Sequence, residues 1–109
     1  MDDRLQRLVE LSALIRDLKL AELSVHARSC AQIRDRLAGL TAPLPKESDL
    51  PAAALDAAAL RHERWAAPRR MALNEQLATE NARRLVAETT ARAAFGRAQV
   101  LQKLRDSRR

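Results

Sequence analysis

Apolar residues recur along the first part of the chain at Leu5, Leu8, Leu11, Ile15, Leu18, Val25, Ile33, Leu37 and Leu40. The early steps of three and four residues place them on one helical face and read as a heptad seam. Around Glu22, His26, Ser29 and Cys30 the seam turns polar and small. From Val25 the steps tend towards four, as a stutter gives. Asp2 and Asp3 suit the positive end of a helix dipole, and Gly39 suits a left-handed helix stop. The pattern predicts a first helix over residues 3–38.

The stretch LTAPLPKESDLPAAA follows. Pro43, Pro45 and Pro51 cannot sit in the interior of a continuous helix without cost, so residues 40–49 are expected to form a hinge. Ser48 or Asp49 would cap a second helix, with Pro51 in its first turn, where a missing N–H is harmless. Leu44 and Leu50 are expected to pack across the helix ends. The second helix is predicted over residues 50–105, longer than the first by roughly 20 residues, or ~30 Å. It opens Ala-rich with Leu55, Leu60 and Trp65, then carries Leu73, Leu77, Leu85, Ala91, Phe95, Ala98, Leu101 and Leu104.

Pro68 interrupts this second pattern. It removes one helical hydrogen bond and crowds the preceding turn, at ~3 kcal/mol. A kink or a break near Ala67 would absorb that cost. No Gly, Ser or Asn stands beside Pro68 to mark a loop, and strong helix formers flank it, which favours a kinked continuous helix. Trp65, three residues earlier, is read as filling the gap where the helices part. The competing reading makes Trp65, with Arg64, Arg69 and Arg70, an exposed partner anchor, since Trp and Arg dominate binding hot spots.

Composition agrees with helices only. Ala, Leu, Arg and Glu abound, while aromatic residues are limited to Trp65 and Phe95, which is coiled-coil composition. The fold class expected is an all-α antiparallel two-helix coiled-coil hairpin, a single domain over residues 1–109, with the longer second helix kinked or broken near Pro68. A lone cysteine, Cys30, allows no internal disulfide. The opening MDDRLQRLVEL lacks the basic and unbroken apolar regions of a signal peptide. No apolar run approaches the ~20 residues that span a bilayer. The expectation is a soluble, cytoplasmic protein.

Candidate chemistry is thin. His26 and Cys30 share a helix face and His62 lies on the other helix, but three positions without a fourth ligand are no metal motif. His26 reads as a polar seam residue and His62 as a surface one. There is no phosphate-binding glycine loop, and a two-helix hairpin offers no water-excluding cavity. No enzyme activity and no cofactor are expected. The net charge of +6 is concentrated towards the C-terminus, with Arg83, Arg84, Arg92, Arg97, Lys103, Arg105, Arg108 and Arg109 against Glu88 and Asp106. Such a tail suits nonspecific contact with nucleic acid or an anionic surface. Specific nucleic-acid recognition is not expected, because no stacking platform or DNA-binding motif is present. Gly96 beside Phe95, with Ala91, Ala94 and Ala98, suggests close approach of a further helix to a C-terminal segment that the first helix is too short to cover. Ala-rich seams bury little area, so a lone hairpin is marginal. A homodimer forming a four-helix bundle is one remedy.

The termini, LQRLVELSALIRDLKLAEL and GRAQVLQKLRDSRR, resemble the flagellar and type III secretion stalk proteins of the FliJ-like family. The resemblance does not extend to the middle of the chain, and the chain is shorter than expected for that family. It implies a cytoplasmic coiled-coil hairpin whose helix ends enter a hexameric export ATPase, with an export gate nearby. Arg97, Leu101, Leu104 and Arg105 would make that contact. With Trp65, Arg69, Arg70 and Phe95 they are the candidate partner-binding residues.

Overall fold

The computed structural model describes residues 3–41 and 50–108. Two helices account for nearly all of them: α1, Asp3–Gly39, and α2, Ala52–Ser107. They pack antiparallel as a hairpin measuring 83 × 25 × 13 Å. The smallest dimension is about one helix diameter, so the molecule is a single layer with one seam.

In α1 the sheltered series runs Leu5, Val9, Ser12, Arg16, Lys19, Leu23, His26, Cys30, Ile33, Leu37 and Leu40, with Ala13 and Ser29 half-buried beside it. The steps alternate between four and three without a break, a strict heptad. Val9, Arg16, Leu23, Cys30 and Leu37 occupy position a; the others occupy d. In α2 the same alternation runs from Ala66 through Arg70, Leu73, Leu77, Glu80, Arg84, Ala87, Ala91, Ala94, Ala98 and Leu101 to Arg105.

This seam differs from the one the apolar pattern predicts. Leu8, Leu11, Ile15, Leu18 and Val25 are exposed, and no stutter follows Val25. The residues that replace them are smaller or charged. Arg16 and Lys19 keep 25% and 30% of their side chains exposed: long aliphatic stems cover apolar surface while the charged heads reach water. The facing stretch of α2 is mostly alanine, which buries little area but lets two helices come close.

The register brings His26 level with Glu80 and Leu40 level with His62. This overturns the expected overhang. Ala91, Ala94 and Ala98 are buried against α1, so the small-residue face is used within the chain. The segment beyond the end of α1 is the start of α2, residues 52–61, nearly all exposed.

Other local expectations also change. Gly39 closes α1 in right-handed geometry, since no described glycine has positive φ. The chain leaves α1 through Leu40 N–H to Leu37 O and Thr41 N–H to Ala38 O, both 3.2 Å. Pro51 stands just before α2 as its N-cap, with φ −56° and ψ 148°; extended ψ at this position starts a helix without a side-chain cap. Leu50 is 59% exposed, and Pro43, Leu44, Pro45, Ser48 and Asp49 lie outside the described residues. α2 is continuous through Pro68, whose exposed position keeps its ring out of the seam. Gly96 has open space where a side chain would begin, so no close helix approach within the chain needs it.

Two substitutions separate seam from surface. Gly96→Ala should raise stability by ~1 kcal/mol, because it removes glycine's helix penalty without a clash. Ile33→Ala, at a buried d position, should lower it by ~2–4 kcal/mol. Denaturant melts followed by circular dichroism measure both.

Candidate functional site

Heptad positions also order the exposed residues. In α1, Leu8, Ile15 and Glu22 fall at g, and Leu11, Leu18 and Val25 at c. In α2, Thr90, Arg97 and Leu104 fall at g, and Val86, Ala93 and Val100 at c. In an antiparallel pair the g positions of both helices border one side of the seam. The side chains agree: Glu22, Arg83, Val86 and Thr90 line a common groove beside Lys19 and His26. Further towards the hinge the same side is polar, lined by Ser29, Gln32, Arg36, Gln76, Thr79 and Arg83. The aliphatic part is therefore confined to the open-end half of the hairpin, which holds the start of α1 and the end of α2. Leu8, Leu11, Leu18, Val86 and Val100 are each about half exposed or more there.

The hinge end carries a different cluster. Trp65 is 47% exposed and does not fill a gap in the seam, where the neighbouring Ala66 is fully buried. The Arg69 guanidinium lies 4.4 Å from the centre of the Trp65 ring, a cation–π contact. The same guanidinium donates to the Trp65 carbonyl oxygen at 2.7 Å. Pro68 has no N–H for the Arg64 carbonyl; the Arg69 bond falls on the next carbonyl along. His62 lies on the other edge of the indole, its ring centre 5.5 Å away. Its Nε2 is 2.7 Å from the Leu40 carbonyl oxygen, an orphan acceptor at the end of α1. His62 is thus a half-buried link between the helices, not the surface residue expected. Arg70 is held by Glu63 at 2.8 Å. That bond, and then the attraction between the two opposite charges, lower the Glu63 pKa and raise that of Arg70.

His26 is a seam residue, as expected. Its Nδ1 is 3.2 Å from Glu80 Oε2, and Arg83 donates to Glu80 Oε1 at 2.7 Å. Glu80 is only 16% exposed. The Arg83 hydrogen bond, then that from His26, hold its carboxyl below the usual carboxylate range. His26, Cys30 and His62 do not form a site, and among the described residues no group of His, Cys, Asp and Glu could hold a metal.

The eight candidate partner-binding residues do not form one patch. Trp65, Arg69 and Arg70 sit at the hinge end. Arg97 and Leu104 lie about 30 residues or more further along α2, roughly 50 Å away, on the c/g side. Phe95 is 51% exposed at position e, across the seam from them. Leu101 and Arg105 are seam residues, half-sheltered by α1. The aliphatic c/g face escaped the sequence reading because its α1 residues were assigned to the seam. A signal was present: Leu5 and Val9 stand beside Leu8, Leu11 and Ile15, too many apolar positions for a single two-residue stripe.

The basic C-terminal stretch is partly neutralised along its own helix. Arg84 and Arg92 both reach Glu88, at 3.2 and 2.6 Å, and Arg105 reaches Asp106 at 3.2 Å. Among the described residues no helix is long and apolar enough to cross a membrane.

No protein-family model matches the sequence, and no curated protein or solved structure is significantly similar to the chain. The likeness to export stalk proteins therefore rests on the terminal residues quoted for it.

The depressed Glu80 carboxyl gives a signed pH dependence. A group with a lowered folded-state pKa contributes stability above its unfolded pKa, and loses it as pH falls through the folded value. The hairpin should therefore melt at lower temperature as pH drops below the ordinary carboxylate range. Glu80→Gln should melt lower than wild type at neutral pH and show a shallower acid dependence. Thermal melts from pH 7 to pH 3 read both effects.

Proposed function

We propose that this chain is a non-enzymatic coiled-coil interaction module that uses its open-end half to hold a protein partner. The observation that carries this reading is the distribution of its hydrophobes. Leu8, Leu11 and Leu18 stand about half exposed at heptad spacing, while the seam beside them takes Ser12, Arg16 and Lys19. A contiguous apolar face of this kind marks an interaction surface.

The specific form of the proposal is an accessory protein of flagellar or type III export acting in the cytoplasm, the role implied by the terminal resemblance. The hairpin shape and its length are compatible with a stalk inserted into a ring ATPase. The start of α1 and the end of α2 lie at one tip, where Arg97, Leu104 and Arg105 surround the last turns of α2. Leu101 acts there by holding α2 against α1. Binding to nucleic acid or an anionic surface through the arginines is the weaker reading, because Arg83, Arg84, Arg92 and Arg105 are engaged by neighbouring carboxylates.

Affinity capture of the tagged protein from its native cells, washed at moderate and high salt, tests this. Recovery of a ring ATPase at both salts, reduced at least ~10-fold by Arg97→Glu with Leu104→Glu, is the expected outcome. Recovery of nucleic acid alone, lost at high salt, would sink the interaction-module reading, since counterion release makes phosphate binding steeply salt-dependent.

A further inference from the structure

Building on the interaction-module reading, we propose that the aliphatic c/g face, made by Leu8, Leu11, Ile15 and Leu18 of α1 with Val86 and Val100 of α2, is covered by a second copy of this chain. Two hairpins close over their open-end halves into a four-helix bundle.

Three observations select that occupant. The first is angular. In a heptad frame the c/g stripe lies about 100° around the helix from the a/d stripe. A helix in a square bundle of four meets its two neighbours at about 90°, while one in a triangular bundle of three meets them at about 60°. The face therefore fits two further helices, not one, and a second hairpin supplies both.

The second observation is area. These side chains are 39–67% exposed. Together with Val25 they offer on the order of 600 Å² of aliphatic surface, against a standard interface of roughly 800 Å² per partner that is about three-fifths apolar.

The third is charge. From residue 8 to 25 of α1 and 83 to 104 of α2, the c and g positions hold one acid, Glu22, and two bases, Arg83 and Arg97. Arg83 is engaged by Glu80 of its own chain at 2.7 Å, which leaves Glu22 and Arg97. A two-fold pair brings together two of each sign, so the face is complementary to itself. The polar hinge half, with Gln32, Arg36 and Gln76, stays outside the contact.

Sedimentation equilibrium of the purified 109-residue chain between ~1 and ~100 µM tests the proposal. The expected result is a dimer of twice 12.2 kDa, with a melting temperature that rises with concentration. Leu11→Lys with Leu18→Lys charges two c positions outside the seam and should weaken dimerisation ~100-fold or more. Val86→Lys with Val100→Lys does the same from α2 and decides the matter if the first variant loses helicity. Ser24→Lys, exposed on the opposite side of α1, should leave the dimer unchanged. A wild-type chain that is helical and monomeric at ~100 µM overturns the inference, as does a dimer that both double variants leave intact. Either result means the face waits for a foreign protein, and leaves the ATPase capture to be judged on its own.

Discussion

Everything in this molecule depends on two long helices sharing one seam. A hairpin with a single layer can bury only the a and d positions of each helix. Every other apolar residue must face outward. Here the facing surface of α2 is an alanine run from Ala87 to Ala98, and α1 meets it with Leu5, Val9 and Ser12, then with Arg16 and Lys19. The apposition is close but poor in buried carbon. The better hydrophobes of α1 lie about a quarter-turn away. That imbalance leaves the hairpin with an aliphatic face outside its seam, open to solvent.

Polar groups then specify the register that hydrophobic burial leaves loosely defined. Alanine seams are nearly uniform, and sliding one helix against the other by a heptad changes little packing. His26 with Glu80, and His62 with the Leu40 carbonyl, are not interchangeable with their neighbours. Each sits at a level where a slip would leave a sheltered donor or acceptor without its partner, which costs more than the bond itself contributes. The second contact also answers for the C-terminal end of α1, where Gly39 does not adopt the left-handed stop.

The Trp65–Pro68 segment follows the same logic on a local scale. Proline deprives one carbonyl of its amide donor, and the helix nevertheless runs through. Arg69 reinforces the neighbouring turn, donating to the Trp65 carbonyl while stacking on the indole ring. Trp65 thus belongs to the outer face of the helix, with Ala66 alone turning inward.

Much of this was legible in the residues. Leucines at steps of three and four, the Pro-rich stretch and the scarcity of Gly after it determined two helices in a hairpin, because heptad periodicity and proline chemistry are local properties of the chain. Strong helix formers around Pro68 favoured a continuous helix over a break near Ala67 without deciding between them, and α2 is continuous there. His26 was legible as a seam residue because a polar side chain at that spacing has few other roles. The choice between the two interleaved apolar series of α1 was made only by the tertiary structure. Leu8, Leu11, Ile15 and Leu18 form a seam as regular as Leu5, Val9 and Ser12, and a more hydrophobic one. Which of them faces α2 depends on the whole length of both helices in register, including the fit of Cys30, Ile33 and Leu37 near the hinge. The same cause settled which end of α2 projects beyond its partner. Helix lengths follow from local sequence, but alignment is a property of the pair.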